Sequence, residues 1–367
     1  MPPAAPTPSV RAVLSPAETA REVERLGNAL RAQVGTRIIG LDEVVEHVLI
    51  SVFTRNHVLL EGVPGLAKTL LLSTVAQLLD LSFSRIQFTP DLMPSDVTGS
   101  EYLIQDAGTG ERAFRFAEGP IFANVVLTDE INRAPPKTQA ALMEAMEEGQ
   151  VTSLGVSREL APPFFVLATQ NPIEQEGTYP LPAAQLDRFL FKVLLEYPTW
   201  EQEERIARMT VRLDDAPLVS VASRDDLLSM QESLAAAPVP PSIVHYAVQL
   251  AQASRPDGTG APDAVREYVE WGAGPRAAQA LVVGGRARAM LRGRSVPDHE
   301  DLAAIAHSVL RHRLILSYAA EADGVGTEEV TDLVLDSVPR PGHGVGDRTP
   351  LWRRLVGFFQ APERRSA

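Results

Sequence analysis

The chain has 367 residues, enough for roughly two or three domains of about 100–200 residues each, and it is 45% hydrophobic with no cysteine and a formal net charge of −13. The lack of cysteine excludes a disulfide framework, a thiol nucleophile and a cysteine zinc site, and the acidic balance argues against a protein that coats nucleic acid backbones. No stretch approaches the roughly 18 apolar residues of a membrane span, and the opening MPPAAPTPSVRAVLSP lacks the apolar core of a secretion signal, so the expected location is the cytoplasm.

Residues 1–14, rich in Pro and Ala without apolar periodicity, read as a flexible leader. Ser15-Pro16-Ala17-Glu18 has the spacing of a capping box with Pro at the first helical position, opening a helix that should run to about Val34. A turn at Ile38-Ile39-Gly40 precedes a second helix from about Asp42 into Phe53. Short apolar runs then alternate with helical segments: HVLLE (57–61), FSRIQF (83–88), NVVLTDE (124–130), FFVLATQ (164–170) and FLFKVLLEY (189–197). Near-continuous apolar runs suit strands buried on both faces, and helices between them imply a parallel sheet, so 15–198 is predicted to be an α/β domain. Two stretches break the rhythm with alternating patterns around glycine, 97–118 about Gly108-Thr109-Gly110 and 150–161 about Leu154-Gly155. Both predict hairpins projecting from the sheet layer.

Beyond Pro198 the strand signals stop. A linker at 199–219 is expected to lead into a smaller all-helical domain at 220–320, carried by PSIVHYAVQLAQAS, APDAVREYVEWG, PRAAQALVVGGRARAMLRG and PDHEDLAAIAHSVLRHRLILSYA. A second linker at 321–350 precedes a tail, 351–367, in which LWRRLVGFF sets Leu351, Trp352, Leu355, Val356 and Phe359 on one helical face. Such a helix could dock on a partner, on an anionic bilayer through Arg353 and Arg354, or on its own protein.

The chemistry begins at LLEGVPGLAKTLLL, 59–72. A phosphate-binding loop needs backbone N–H groups in a tight turn between a strand and a helix N-terminus, a lysine as point charge and a Ser or Thr as magnesium ligand. HVLLE supplies the strand, TLLLSTVAQLL the helix, Lys68 the charge and Thr69 the hydroxyl. Ala67 stands where the usual pattern has glycine; alanine fits any right-handed backbone geometry, and its methyl is harmful only if that residue needs positive φ or touches phosphate. Gly62 and Gly65 are expected to occupy the more demanding positions. A second strand, NVVLTDEINRA, delivers Asp129 and Glu130 to the carboxyl edge of the sheet, where Asp129 would hold Mg²⁺ and Glu130 would orient and deprotonate an attacking water. FFVLATQNP brings Asn171 to the same edge, for the γ-phosphate or the water. Arg133 and Arg188 could each reach a phosphate, and Arg276 opens a helix, where a cation is disfavoured unless an anion lies nearby. Hydrolysis of a nucleoside triphosphate is the expected reaction.

With these residues in place, the chain closely resembles the MoxR-type AAA+ ATPases over roughly residues 20–320, through IIGLDEVV, GVPGLAKTLL, IQFTPDLMPSDVTG, FAEGPIFANVVLTDEINRAPPKTQAALMEAMEE, FFVLATQNPIEQEGTYPLPAAQLDRFLFK and GPRAAQAL. The resemblance implies an AAA+ P-loop αβα sandwich with a parallel sheet followed by an all-α lid, binding ATP and Mg²⁺. Gly62, Val63, Pro64, Gly65, Leu66, Ala67, Lys68, Thr69 and Leu70 would form the Walker A loop, and Asp129 and Glu130 Walker B. Asn171 would be sensor 1, Arg188 the arginine finger and Arg276 sensor 2, while Ile38, Ile39 and Gly40 would line the adenine pocket. Segments 97–118 and 150–161 would be the helix-2 insertion and the pre-sensor-1 hairpin, both directed toward substrate. Family members form rings, usually hexamers, and act as chaperone-like remodelling factors, often with partners carrying a von Willebrand factor A domain; metal-cofactor insertion and enzyme maturation are typical tasks. Two other readings stay open: an AAA+ nucleic-acid motor, which the acidic charge disfavours, and a nucleotide-gated binding scaffold.

Other signals are read as solvated surface. The seven histidines lack the pairing a zinc helix requires, His312 is expected on an exposed helix face, and Glu144, Glu147 and Glu148 on one solvent-facing stripe.

Overall fold

The computed structural model describes residues 14–62, 65–105, 112–153, 155–172, 177–210 and 218–340. The leader up to residue 13, the Gly108-Thr109-Gly110 turn, Leu154, Val63, Pro64 and the tail helix at 351–359 lie outside the described residues.

The first helix, Pro16–Gly35, starts at the expected capping box: Glu18 N–H donates to Ser15 Oγ, and Ser15 N–H donates to the Glu18 carboxylate. The second helix, Asp42–Thr54, presses a nearly continuous buried face onto the sheet, with His47 edge-on to Phe191 at 4.6 Å. The strands follow in chain order: β1 (Val58–Gly62), β2 (Phe83–Gln87), the hairpin β3 (Gly99–Gln105) and β4 (Arg112–Glu118), β5 (Val125–Asp129), the hairpin β6 (Gln150–Ser153) and β7 (Val156–Glu159), β8 (Phe165–Gln170) and β9 (Phe191–Leu195). Five of them form one sheet in the order β2-β5-β8-β1-β9, every pair parallel. Val58, Leu59, Leu60, Val125, Val126, Leu127, Val166, Leu167 and Ala168 are fully buried, the consequence of covering both faces with helices. Because all five strands run the same way, Gly62, Asp129 and Gln170 end at a single edge. Both expected hairpins are present, β3 pairing with β4 from Gly99↔Glu118 and β6 with β7 from Gln150↔Glu159.

By its contacts the chain divides into two compact units, residues up to Pro238 together with Arg286–Val296, and Val239–Gly285 together with residues from Pro297 onward. Several expectations need correction here. Segment 199–219 carries the helix Trp200–Thr210, and 321–350 carries Thr327–Ser337, so neither is a plain linker. The helix Arg224–Ala236, placed by pattern in the helical domain, packs on Pro16–Gly35 and Asp42–Thr54 in the first unit. Nor is the second unit wholly helical. The helix Asp263–Tyr268 stops early, and β10 (Val269–Trp271) pairs antiparallel with β11 (Ile315–Leu316). VEW and IL are apolar and β-prone, and a partner far along the chain decides their state over local helical periodicity. His312 is buried, not solvated, because the chain turns inward after the helix His299–Leu310. Glu147 is exposed as expected, and it also pairs with Arg188 at 2.6 Å.

Candidate active site

The loop after β1 is shaped by close approach. A Cβ on Gly62 would lie 2.5 Å from Leu195 Cβ and 2.8 Å from the Leu195 carbonyl oxygen on the neighbouring β9, so only glycine lets the strand end run so near. Gly65 has φ +88° and open space around it, which makes conformation its requirement. Ala67 corrects the expectation of a right-handed residue. It sits at φ +54°, ψ 20°, in the left-handed region, immediately before the helix Lys68–Leu78. The position does need positive φ, and alanine bears a strain of about 1 kcal/mol to meet it.

Lys68 opens that helix, with Nζ donating to Gly62 O at 3.2 Å across the loop. Burial lowers its pKa, and the charges of Asp129 and Glu130 push it back up, so the ammonium lies within the field of both acids. Thr69, next in the helix, is half-buried, and Leu70 is exposed.

Asp129 is the last residue of β5. Its Oδ2 accepts from Arg85 Nε at 2.7 Å, and its Oδ1 from Thr169 Oγ1 at 3.2 Å. Glu130 follows at φ +57°, a second left-handed non-glycine residue, and its N–H donates to the same Thr169 hydroxyl at 3.0 Å. Thr169 on β8 thus braces both acids. Glu130 Oε2 accepts from Gln87 Nε2 at 3.0 Å and from Arg133 Nη1 at 2.9 Å. Arg133, expected near a phosphate, therefore lies on the acid. Asn171 follows β8 directly and is buried at the same edge. Arg188, after the short helix Ala183–Leu186, donates from Nη1 to Met143 O at 2.9 Å and pairs with Glu147, which ties it to the helix Pro136–Glu148. Ile38 is buried in the bend between the first two helices, Ile39 is half-buried, and Gly40, at φ +81°, runs so close to the helix Trp200–Thr210 that a Cβ would sit 2.8 Å from Gln202. Arg276 lies in the first turn of the helix Pro275–Met290, in the second unit.

Arg85, Gln87 and Thr169 were missed by sequence reasoning. Arg85 and Gln87 alternate as polar residues in FSRIQF and so share one strand face, which was a usable signal. Their proximity to the acids depends on β2 pairing with β5, where Gln87 faces Asp129, and no local pattern announces that pairing.

A parallel sheet that converges a glycine-shaped strand–helix loop, one lysine and a braced acidic pair at a single edge defines a P-loop nucleoside triphosphatase. Residues 57–191 match the model of the ATPase family associated with various cellular activities (AAA), and residues 262–334 that of the AAA lid domain. The chain is 44% identical over 336 residues to "Chaperone MoxR1" of Mycobacterium tuberculosis (89% of this chain, 87% of that one) and 32% identical over 329 residues to "Protein MoxR" of Methylorubrum extorquens (84% and 93%). A crystal structure of a Cytophaga hutchinsonii protein, named provisionally as an ATPase, superimposes with a TM-score of 0.81 at 38% identity, over 88% of this chain and 97% of that one. The chain belongs to the MoxR family of AAA ATPases. Among the described residues, no helix is long and apolar enough to cross a membrane.

Proposed function

We propose that this chain hydrolyses ATP with Mg²⁺ to drive chaperone-like remodelling or maturation of partner proteins, with metal-cofactor insertion and a von Willebrand factor A domain partner as the expected setting. The observation that carries the reading is geometric: parallel pairing brings the end of β1 at Gly62, where Lys68 Nζ donates back across the loop at 3.2 Å, and the end of β5 at Asp129–Glu130 to one sheet edge. The loop amides from Gly62 to Thr69, with Lys68, would bind the β- and γ-phosphates at the helix N-terminus. Thr69 and Asp129 fit Mg²⁺. Both are hard oxygen donors, the type suited to an ion held mainly by phosphates and water. When bound, Mg²⁺ would offset the charge on the phosphate oxygens.

Glu130 would take a proton from the attacking water. Gln87 and Arg133 occupy its Oε2, which leaves Oε1 for that task. The water oxygen bonds to the γ-phosphorus, the bridging bond to the β-phosphate breaks, and ADP and phosphate leave. Asn171 would position the water or the γ-phosphate. Arg276 would contact nucleotide from the helical domain, and Arg188 would contact that of a neighbouring subunit in a ring, a hexamer by the family habit. The test compares Lys68→Ala with Glu130→Gln. The first should lose ATP binding; the second should keep binding and lose turnover by about 100-fold or more. Full turnover in Glu130→Gln would remove the water-activating role, and remodelling that survives it would favour a nucleotide-gated scaffold.

A further inference from the structure

Two hairpins leave the sheet of the first unit, and one side chain joins them. Arg158 on β7 places its guanidinium carbon 3.9 Å from the ring centroid of Phe116 on β4, and its Nη2 lies 3.2 Å from Glu101 Oε1 on β3. Glu101 and Phe116 face each other in the β3–β4 register, so a single guanidinium spans both strands of the other hairpin. The Arg158 side chain is only 22% exposed, and its Nε is buried without a hydrogen-bond partner. The stack on Phe116 and the pair with Glu101 hold the side chain in place although that donor is left without a partner. A planar guanidinium can lie on a ring and pair with a carboxylate at once, as a lysine ammonium does less well.

What lies on either side of this contact gives it consequence. Two residues further along the same face of β3–β4, Leu103 and Phe114 form the next register pair and are 51% and 75% exposed. The other hairpin is rooted in the site. β6 follows the helix that holds Arg188 through Met143 and Glu147, and β7 leads into β8, whose Thr169 braces Asp129 and Glu130.

We propose that Arg158 is a positioning residue that locks the two hairpins into one rigid lever, so that force on the exposed Leu103–Phe114 end moves β6–β7 with it. Its use in client handling rests on the remodelling function proposed above; the lock itself does not. The chain has no cysteine, so Tyr102→Cys and Ser157→Cys introduce the only two attachment points for spin labels, both exposed and on the strand faces opposite the contact. Pulsed dipolar spectroscopy on the full chain should give one narrow interlabel distance. That distribution should broaden roughly twofold in Arg158→Ala and in the milder Glu101→Gln, with the melting transition of Glu101→Gln unchanged. A distribution already broad with Arg158 present, or one of unchanged width in both variants, overturns the lock. Neither result bears on the Lys68 and Glu130 comparison, so failure of the lock and failure of the hydrolysis reading remain distinct.

Discussion

Ala67 shows how a single residue can break a familiar pattern and still serve it. The loop needs positive φ there, +54°, and alanine adopts it at a cost of about 1 kcal/mol. Glu130 carries the same kind of strain at φ +57°, held by the bond from its N–H to Thr169. Gly62 differs from both: its neighbour is the backbone of β9, which cannot yield. Ala67→Gly should therefore change stability by less than about 1 kcal/mol, because relief of strain is offset by the added freedom of the unfolded chain. Gly62→Ala should lose about 1–3 kcal/mol through overpacking. Thermal melts with and without ATP read both effects, and a tenfold loss of ATP affinity in Ala67→Gly would show that the methyl touches the ligand.

Among the elements, two contacts tie segments together through histidine. His57, fully buried just before β1, accepts from Val166 N–H on β8 at 3.0 Å, and its Nε2 lies 3.1 Å from Met146 O at the end of the helix Pro136–Glu148. Burial drops its pKa to about 4, so it stays neutral in the fold. In the second unit, His307 lies between two acids one turn apart on Thr327–Ser337. Nδ1 is 2.8 Å from Glu328 Oε2 and Nε2 3.2 Å from Asp332 Oδ1, while Arg311 also bonds Glu328. The Glu328 hydrogen bond raises His307 above its ordinary 6.5 despite burial. Burial alone would raise Glu328, but bonds from His307 and Arg311 outweigh it and hold the carboxyl at about 2. The stabilisation from charged His307 is full below pH 6.5 and is lost as pH rises through its raised folded value. On the acid side, His57 costs stability as pH falls from 6.5 toward about 4, and the Glu328 contribution fades from 4.5 toward about 2. The melting temperature should therefore decline above pH 6.5, and His307→Gln should flatten that alkaline limb while leaving the loss between pH 6.5 and about 4 that His57 sets; it should also shrink the Glu328 contribution below pH 4.5, since His307 helps to hold that carboxyl down. An unchanged alkaline limb would show that His307 gains no charge on folding.

At the scale of the whole molecule, the function proposed above takes Arg188 of a neighbouring subunit to complete the site. Arg188 is bound to the helix Pro136–Glu148 through Met143 and Glu147, with its side chain 28% exposed. A head-to-tail interface repeated around a ring would bring such a residue from one subunit to the nucleotide of the next. ATP turnover should then rise faster than linearly with protein concentration. Arg188→Ala and Glu130→Gln should each be inactive alone, and mixing them should restore activity, because one supplies the arginine and the other the acid. Absence of recovery on mixing would confine Arg188 to its own subunit.

The sequence by itself determined the elements whose cause is local. The capping box at Ser15, the five apolar strand runs, Lys68 and Thr69 opening a helix, and the acidic pair ending a strand follow from spacing and side-chain chemistry within a few residues. Tertiary structure decided whatever depends on partners distant in the chain. Strand pairing brought Arg85, Gln87 and Thr169 to the acids, long-range pairing made a ribbon of VEW and IL, and packing drew His312 inward. The positive φ of Ala67 belongs with these, since it is a demand of the turn and leaves no mark in the residue chosen to meet it.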